Sequence, residues 1–485
     1  MEPFLGLLLA GAGGSVAYLA LKWWSRERGR LWREAADAAH LTNIDVTTFL
    51  GWTSKLVGKS GPLTVTIGTY HRGKDEHGTR VTVGGFHHGT YGLTIRAEGL
   101  TSSIEKTFGE RELEVGDPEF DEAAYLQGGP ALVRAIFDRE TRRMVGTLLR
   151  GKMRVGGREG QTEFKVRTSL SDDELRVDVR ARLLENVDRW LPAALPTLVD
   201  IGRRLRRPDD LAAKIVANTR AEKLPAVRLG SLQTLTTEFP RHPGTREALL
   251  AALDDPSLEI RLHAAIALGP EGRATLQTLA ADDGADTVSA RAISALGSDF
   301  ALERAIERLR QSRAKELTAT ALACIEAIGR AGTPEGSEAL ADMLATAPDH
   351  LAVAAAGAIA GEENEKVERG LLAALERESA EVRVAAAEAL GRVGSPSAVV
   401  PLREASGAHT FDGALRRATR QAIAEIQSRV TGASPGQLSL AAEEAGQVSL
   451  VDEDRRGQVS LEGGTEAAPP SGSVLDSVSP AKPGT

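Results

Sequence analysis

The 485-residue chain has one cysteine, Cys324, so no disulfide can close within it. Such a chain suits a reducing compartment. Aromatic residues make up only 4 % of it, and they stop early. All five Trp, all four Tyr and seven of the ten Phe precede residue 200, leaving Phe239, Phe300 and Phe411 beyond it. A second half so poor in rings must build its core from small side chains, and the break places a domain boundary near 200. A basic surplus is also lacking. Lys and Arg number 59 against 67 Asp and Glu, for a net charge of −8. The last 55 residues hold eight acids and three bases, so the body is nearly balanced. It lacks the basic face that releases counterions from nucleic acid, and no nucleic-acid partner is expected. No Gly-rich phosphate loop, nucleophile elbow or Cys–His constellation occurs, so no cofactor and no catalytic residue is assigned.

One stretch lacks charge altogether, Pro3 to Leu21, "PFLGLLLAGAGGSVAYLAL". As a helix, 19 residues reach about 28 Å, near the hydrocarbon thickness of a bilayer. Lys22, Trp23 and Trp24 follow, then Arg26, Arg28, Arg30 and Arg33. Interfacial Trp and a cluster of bases mark a cytoplasmic flank, whereas a signal peptide carries its bases at the other end. The expectation is a single membrane span within residues 1–25. It places the protein in the cell inner membrane, with the body in the cytoplasm. A cleaved signal or a buried core helix is the alternative.

From 26 to 206 the pattern changes. "LTVTIGTY" (63–70), "TRVTVGG" (79–85), "YGLTIRA" (91–97), "RELEVG" (111–116), "TEFKVRT" (162–168) and "ELRVDVR" (174–180) alternate as strands do. "GPALVRAIFDRETRRMVGTLL" (129–149) carries apolar residues at helical spacing and is predicted as one helix. A further helix over about 183–206 contains Pro192 and Pro196 and is expected to kink and to link two domains. Strands, helix, then strands argue a small α+β domain with a largely antiparallel sheet. Two clusters in it are candidate sites. His71 and His77 sit on one predicted hairpin turn and His87 and His88 on the next, where a metal would draw imidazoles from both. Asp117 and Asp121 lie in "VGDPEFDEAAY" (115–125), which resembles a G-D-P-x-F-D string of some uncharacterised membrane-associated bacterial domains. Read as structure, Asp117 and Pro118 make a turn and Asp121 caps a short helix. Read as chemistry, the two are a carboxylate pair.

Residues 246–269, "REALLAALDDPSLEIRLHAAIALG", and 368–391, "ERGLLAALERESAEVRVAAAEALG", agree at 13 of 24 places. Weaker copies intervene. The last large apolar residue of each copy is Leu235, Leu268, Leu296, Ile328, Ile359, Leu390 or Ile423, at steps of 33, 28, 32, 31, 31 and 33. A fixed period of this size signals a solenoid of stacked units. "ALLAAL" reads as one helix, "DDPS" as its breaker and the cap of the next, "LEIRLHAAIALG" as the second helix, with Gly269 as its C-cap. Alanine at the contact positions lets helices approach closely, and a single pair must stack to bury its apolar face.

These units resemble HEAT repeats of the short, phycobilisome-lyase-like kind, over seven units and about 207–430. The chain as a whole resembles uncharacterised bacterial membrane-associated HEAT-repeat proteins. The unit ending at Gly297 is short, and Thr320 stands where the best copy has Val382. The resemblance implies a protein-binding surface. Iron-dependent hydroxylases of this architecture carry His-Glu dipeptides, and none of the nine His here precedes a Glu. An activity is left as the alternative, lyase-like or seated in the 40–200 domain. Arg261, His263, Arg383 and Glu388 are the candidate binding surface, although the shared Arg also belongs with the Leu, Ala and Gly that fold and stack, while Cys324 reads as a small buried hydrophobe.

Residues 431–485 lose periodicity and gain Gly, Ser, Pro and acids, the composition of a disordered tail. "GQLSL" (436–440), "GQVSL" (446–450) and "GQVSL" (457–461) recur there as possible strand-adding motifs. They lack the terminal aromatic of the sliding-clamp peptides that Q-L-S-L resembles. The fold expected is therefore mainly α: a HEAT-type α-solenoid preceded by a transmembrane helix and a small α+β domain. The function expected is that of a membrane-tethered, non-enzymatic scaffold for protein partners.

Overall fold

The computed structural model describes residues 14–49, 52–72, 76–86, 92–97, 113–157, 160–180, 188–409 and 411–429, with two short tail segments, 438–440 and 448–450. The chain divides into two compact bodies, 1–327 and 328–485. It is mainly helical, with an antiparallel sheet in its N-terminal part.

The first body begins with a helix, Gly14–Ala38. Most of the expected span Pro3–Leu21 lies outside the described residues, and no helix among those described is long and apolar enough to cross a membrane. From Ser25 on, this helix is part of the domain. Trp32 is fully buried, and its indole N–H donates to Asp188 Oδ2 at 2.7 Å. The Thr79 hydroxyl donates to the other oxygen of the same carboxylate at 2.6 Å. A buried carboxylate must have such donors, and these two pin the helix to the sheet.

The sheet has nine strands: β1 Thr42–Phe49, β2 Trp52–Ser60, β3 Leu63–Arg72, β4 Glu76–Gly84, β5 Thr94–Ala97, β6 Ala124–Gln127, β7 Lys152–Gly157, β8 Gly160–Leu170 and β9 Glu174–Arg180. Their order is β1-β2-β3-β4-β9-β8-β5-β6, with β7 paired to β8. Val65, Ile67, Val81, Val83, Leu175 and Val177 are buried, while their neighbours along each strand, apart from Asp178, are not, so one face is covered. Helices Gly14–Ala38, Arg139–Leu149 and Leu191–Leu205 pack against strands.

Three expectations change here. Residues 113–115 are not a strand, although the Leu113 N–H bonds the Leu126 carbonyl at the sheet edge. The single helix over 129–149 is two, Pro130–Ile136 and Arg139–Leu149. The break is chemical: Asp138 takes the Thr141 N–H at 2.9 Å and the Thr141 hydroxyl at 2.8 Å, an N-cap that starts a new helix. The helix expected to kink and link two domains, Leu191–Leu205, runs on through Pro196 and packs on Gly14–Ala38 and the sheet. Strands β1, β2, β6 and β7 were not foreseen. The core continues from the sheet into helix Leu211–Ala221 and on to Ala264.

Beyond 207 the described residues form seven helix pairs, one per expected unit. They are Leu211–Ala221 with Pro225–Glu238, Pro243–Ala252 with Leu258–Leu268, Arg273–Ala280 with Asp286–Leu296, Leu302–Ala314 with Thr318–Ala331, Pro334–Ala341 with Asp349–Ala358, Glu365–Leu375 with Ala380–Val393, and Val399–Ala408 with Gly413–Arg429. The closing glycine has two jobs. Gly269 (φ +59°) and Gly297 (φ +54°) leave the helix at a backbone angle that suits only glycine. Gly391 does not end its helix. It lies inside Ala380–Val393, where a Cβ would stand 3.0 Å from Ala422 Cα of the next repeat. In the tail, Leu438–Leu440 pairs antiparallel with Val448–Leu450, so the first two of the three similar strings pair with each other. The third lies outside the described residues.

Two glycine substitutions should move stability in opposite directions. Gly391→Ala forces apart two tightly packed helices and should cost about 1–3 kcal/mol. Gly407→Ala, at a helical position where a Cβ meets nothing within 4 Å, should gain up to about 1 kcal/mol. Urea unfolding of the two variants checks both signs.

Candidate functional site

The "GDPEFD" string is built into the first body. Asp117 accepts the Arg142 Nε–H at 2.7 Å. Arg142, whose side chain is 1 % exposed, also donates to Glu222 Oε2 at 2.8 Å and to the Phe137 carbonyl at 2.9 Å. Glu222 ends the first helix of the first repeat, so this arginine ties the sheet domain to the repeats. Asp121 does not cap a helix N-terminus. It accepts the N–H groups of Val115 (2.9 Å) and Gly116 (2.8 Å), closing the turn that precedes it. Arg134 grips the same turn through the carbonyls of Val115 and Glu114. Phe120 is buried, its ring 5.2 Å from that of Phe137. Both aspartates are thus held in folding contacts.

Around Arg142 lies a cavity of about 800 Å³, lined by Asp117, Glu119, Asp138, Arg142, Lys214 and Glu222 among others. Its wall carries five bases and five acids, most of them paired: Arg143 with Glu140, Arg150 with Glu119, Lys214 with Asp138. Charge so matched draws neither an anion nor a cation strongly.

His71 and His77 face each other across the β3–β4 hairpin, their rings stacked 6.2 Å apart. His87 and His88 lie outside the described residues. Among the described residues no three His, Cys, Asp or Glu gather as metal ligands would. Cys324 is buried, and burial pushes its thiol up to about 12, so it stays protonated and unreactive at neutral pH.

The repeats show what their shared arginine does. In the first repeat, Arg228 donates to the carbonyls of Lys223 (2.8 Å) and Glu222 (3.4 Å) in its own turn. It also forks onto both oxygens of Asp255, in the next repeat's turn, at 2.8 Å each. In the sixth repeat Arg383 does the same. It takes the Arg377 and Glu378 carbonyls at 2.9 and 2.7 Å and reaches Asp412 of the seventh at 3.3 Å. Arg383 is 7 % exposed, so its guanidinium belongs to the stack and not to a surface. In the third and fifth repeats, whose second helices lack this arginine, the following repeat lends one. Arg308 reaches back to the Asp282 carbonyl, Asp283 and Ser289, and Arg377 to the carbonyls of Leu344 and Ala347 and to Asp349. In the short third repeat Arg308 therefore holds the turn that Arg261, by analogy, would hold. Arg261 is half-buried, and its Nε has no partner. Thr320, the other irregular position, is buried and satisfied by Asp286, which accepts its N–H at 2.7 Å.

At the helix ends a second set of arginines works alike. Arg392 caps the carbonyls of Ala356 and Gly357, and Arg429 those of Gly391 and Gly394. None of these reaching arginines was foreseen as a clasp. The signal for Arg383 was an Arg shared between two copies whose other matches are mostly Leu and Ala.

Comparison with known families agrees with this arrangement. Residues 348–424 match HEAT repeats. No curated protein matches the chain. In the HEAT segment, Glu388 is exposed on the second helix of its pair. Its counterpart in the second repeat is Ile266, 44 % exposed, one turn from His263. His263 is half-buried, 3.5 Å from the Thr236 hydroxyl, and burial holds its pKa below the usual value. Of the four candidate surface residues, Glu388 is thus open, His263 and Arg261 are half covered, and Arg383 is buried.

Arg383→Ala should cost about 2–4 kcal/mol, since it strips a buried clasp from two turns. Arg369→Ala breaks an exposed pair with Glu365 and should cost no more than about 0.5 kcal/mol. Denaturant midpoints compare the two. A His with a lowered folded pKa resists protonation, so its contribution is intact above 6.5 and is lost as pH falls below it. The native chain should therefore lose stability on acidification faster than His263→Gln, read from unfolding midpoints between neutral and mildly acidic pH.

Proposed function

We propose that this protein is a membrane-tethered scaffold that binds protein partners along its HEAT-repeat surface. The observation that supports it is the division of labour within the repeats. In the sixth repeat most of the residues shared with the second are buried in the stack. A place where they differ, Ile266 against Glu388, faces outward. A stack held by its invariant positions leaves the outward ones to choose a partner. HEAT repeats serve as protein-binding arrays in general, which favours this reading over an enzyme.

The tether rests on sequence: an uncharged run ending at Leu21, then Lys22, Trp23, Trp24 and Arg26. The reading includes a single pass through the inner membrane with the body on the cytoplasmic side. The tail strings would be additional partner motifs.

Two measurements test this. The full chain should co-purify with a partner that a variant reversed at exposed positions of the HEAT segment, Glu381→Lys and Glu388→Lys, captures several-fold less. Equal capture by both would remove the repeat surface from the binding role. A periplasmic reporter fused after residue 40 should stay silent, and activity there would refute the cytoplasmic placement.

A further inference from the structure

We infer that one end of the sheet domain docks on the headgroups of an anionic membrane, so that the protein stands on the bilayer in a fixed orientation. The inference rests on the tether proposed above and deepens it. The uncharged run ends at Leu21, yet Ser25 is already buried, its hydroxyl accepting the Thr53 N–H at 3.4 Å. Both residues lie in one unbroken helix, Gly14–Ala38. Four residues of helix advance about 6 Å. The headgroup layer on each side of a bilayer is roughly 5–7 Å deep. A span ending at Leu21 therefore leaves no room for a flexible stem, and the end of the domain around Ser25 must lie among the headgroups.

The residues at that end suit this place. Trp23 is 61 % exposed, and Trp24 carries the Arg28 guanidinium 3.4 Å above its ring. Arg26, Arg72 and Arg189 are exposed there, as are Lys22 and Arg180. Arg189 acts electrostatically on Glu27, Arg180 pairs with Gly78 near the β3–β4 tip, and Arg72 is the last residue of β3. Of the acids near that end, Glu27 is already bound by Arg30 at 2.7 Å. Bases at a membrane surface attract anionic lipid.

The full chain, reconstituted into vesicles of phosphatidylcholine with or without phosphatidylglycerol, tests the inference. A single cysteine at His71→Cys or Thr64→Cys carries a fluorophore, since Cys324 is buried. The two sites lie on β3, about 23 Å apart. With phosphatidylglycerol present, a headgroup-attached nitroxide should quench the label at 71 several-fold more than that at 64. The combined reversal Arg26→Glu, Arg72→Glu and Arg189→Glu should abolish the difference while the protein still floats with the vesicles. Equal quenching at both sites in floating protein would overturn the docking and leave the tether standing. The same difference in phosphatidylcholine alone would overturn the role of anionic lipid. Protein that does not float would refute the tether, and the docking with it.

Discussion

An array built of alanine and leucine can stack, but it cannot say where to stop sliding. Hydrophobic contact is non-directional, and helices faced with Ala slip past each other at little cost. The arginine clasp supplies the direction. Arg228 and Arg383 each hold two carbonyls of one turn and an aspartate of the next, which fixes the rotation between successive pairs. Desolvating a guanidinium is tolerable because its terminal nitrogens find acceptors, although the Nε of Arg383 has none. The close approach at Gly391 then becomes possible, because the helices are already held in register.

The first body follows the same logic on a larger scale. A buried arginine, Arg142, joins the loop at Asp117 to the end of the first repeat's helix at Glu222. A buried carboxylate, Asp188, joins the first helix to the sheet through Trp32 and Thr79. Apolar packing continues through both joints. Sheet and first repeats therefore behave as one folded piece, though their compositions differ sharply.

What was legible in the sequence followed period and composition. The repeat count was readable because Leu and Ala recur at every turn of the stack. The strands with alternating Val, Ile and Thr were readable for the same reason. The hairpin of β1 and β2 was not. Its stretch "TSKLVGKS" buries Leu56, Gly58 and Ser60, and a strand that sends one large apolar side chain to the core looks like a loop. The split at Asp138 was hidden because Phe137 keeps the apolar period running across the break, although Asp138 three places before Thr141 was a capping signal. Burial of an arginine leaves almost no trace in sequence. Arg142 sits in "RETRRMVG" like any surface base, and only its partners, distant in sequence, reveal it.

The borrowed clasps bear on how such an array changes over generations. A repeat that carries its own arginine, as the first and sixth do, is complete with its own turn and the next repeat's aspartate. The third is held by Arg308 from the fourth, and the fifth by Arg377 from the sixth. Losing the third alone would strand a buried cation, and copying it alone would leave a turn unheld. The heritable module at these places is therefore a pair of repeats, and lengthening or shortening of the array is confined to steps that keep lender and borrower together.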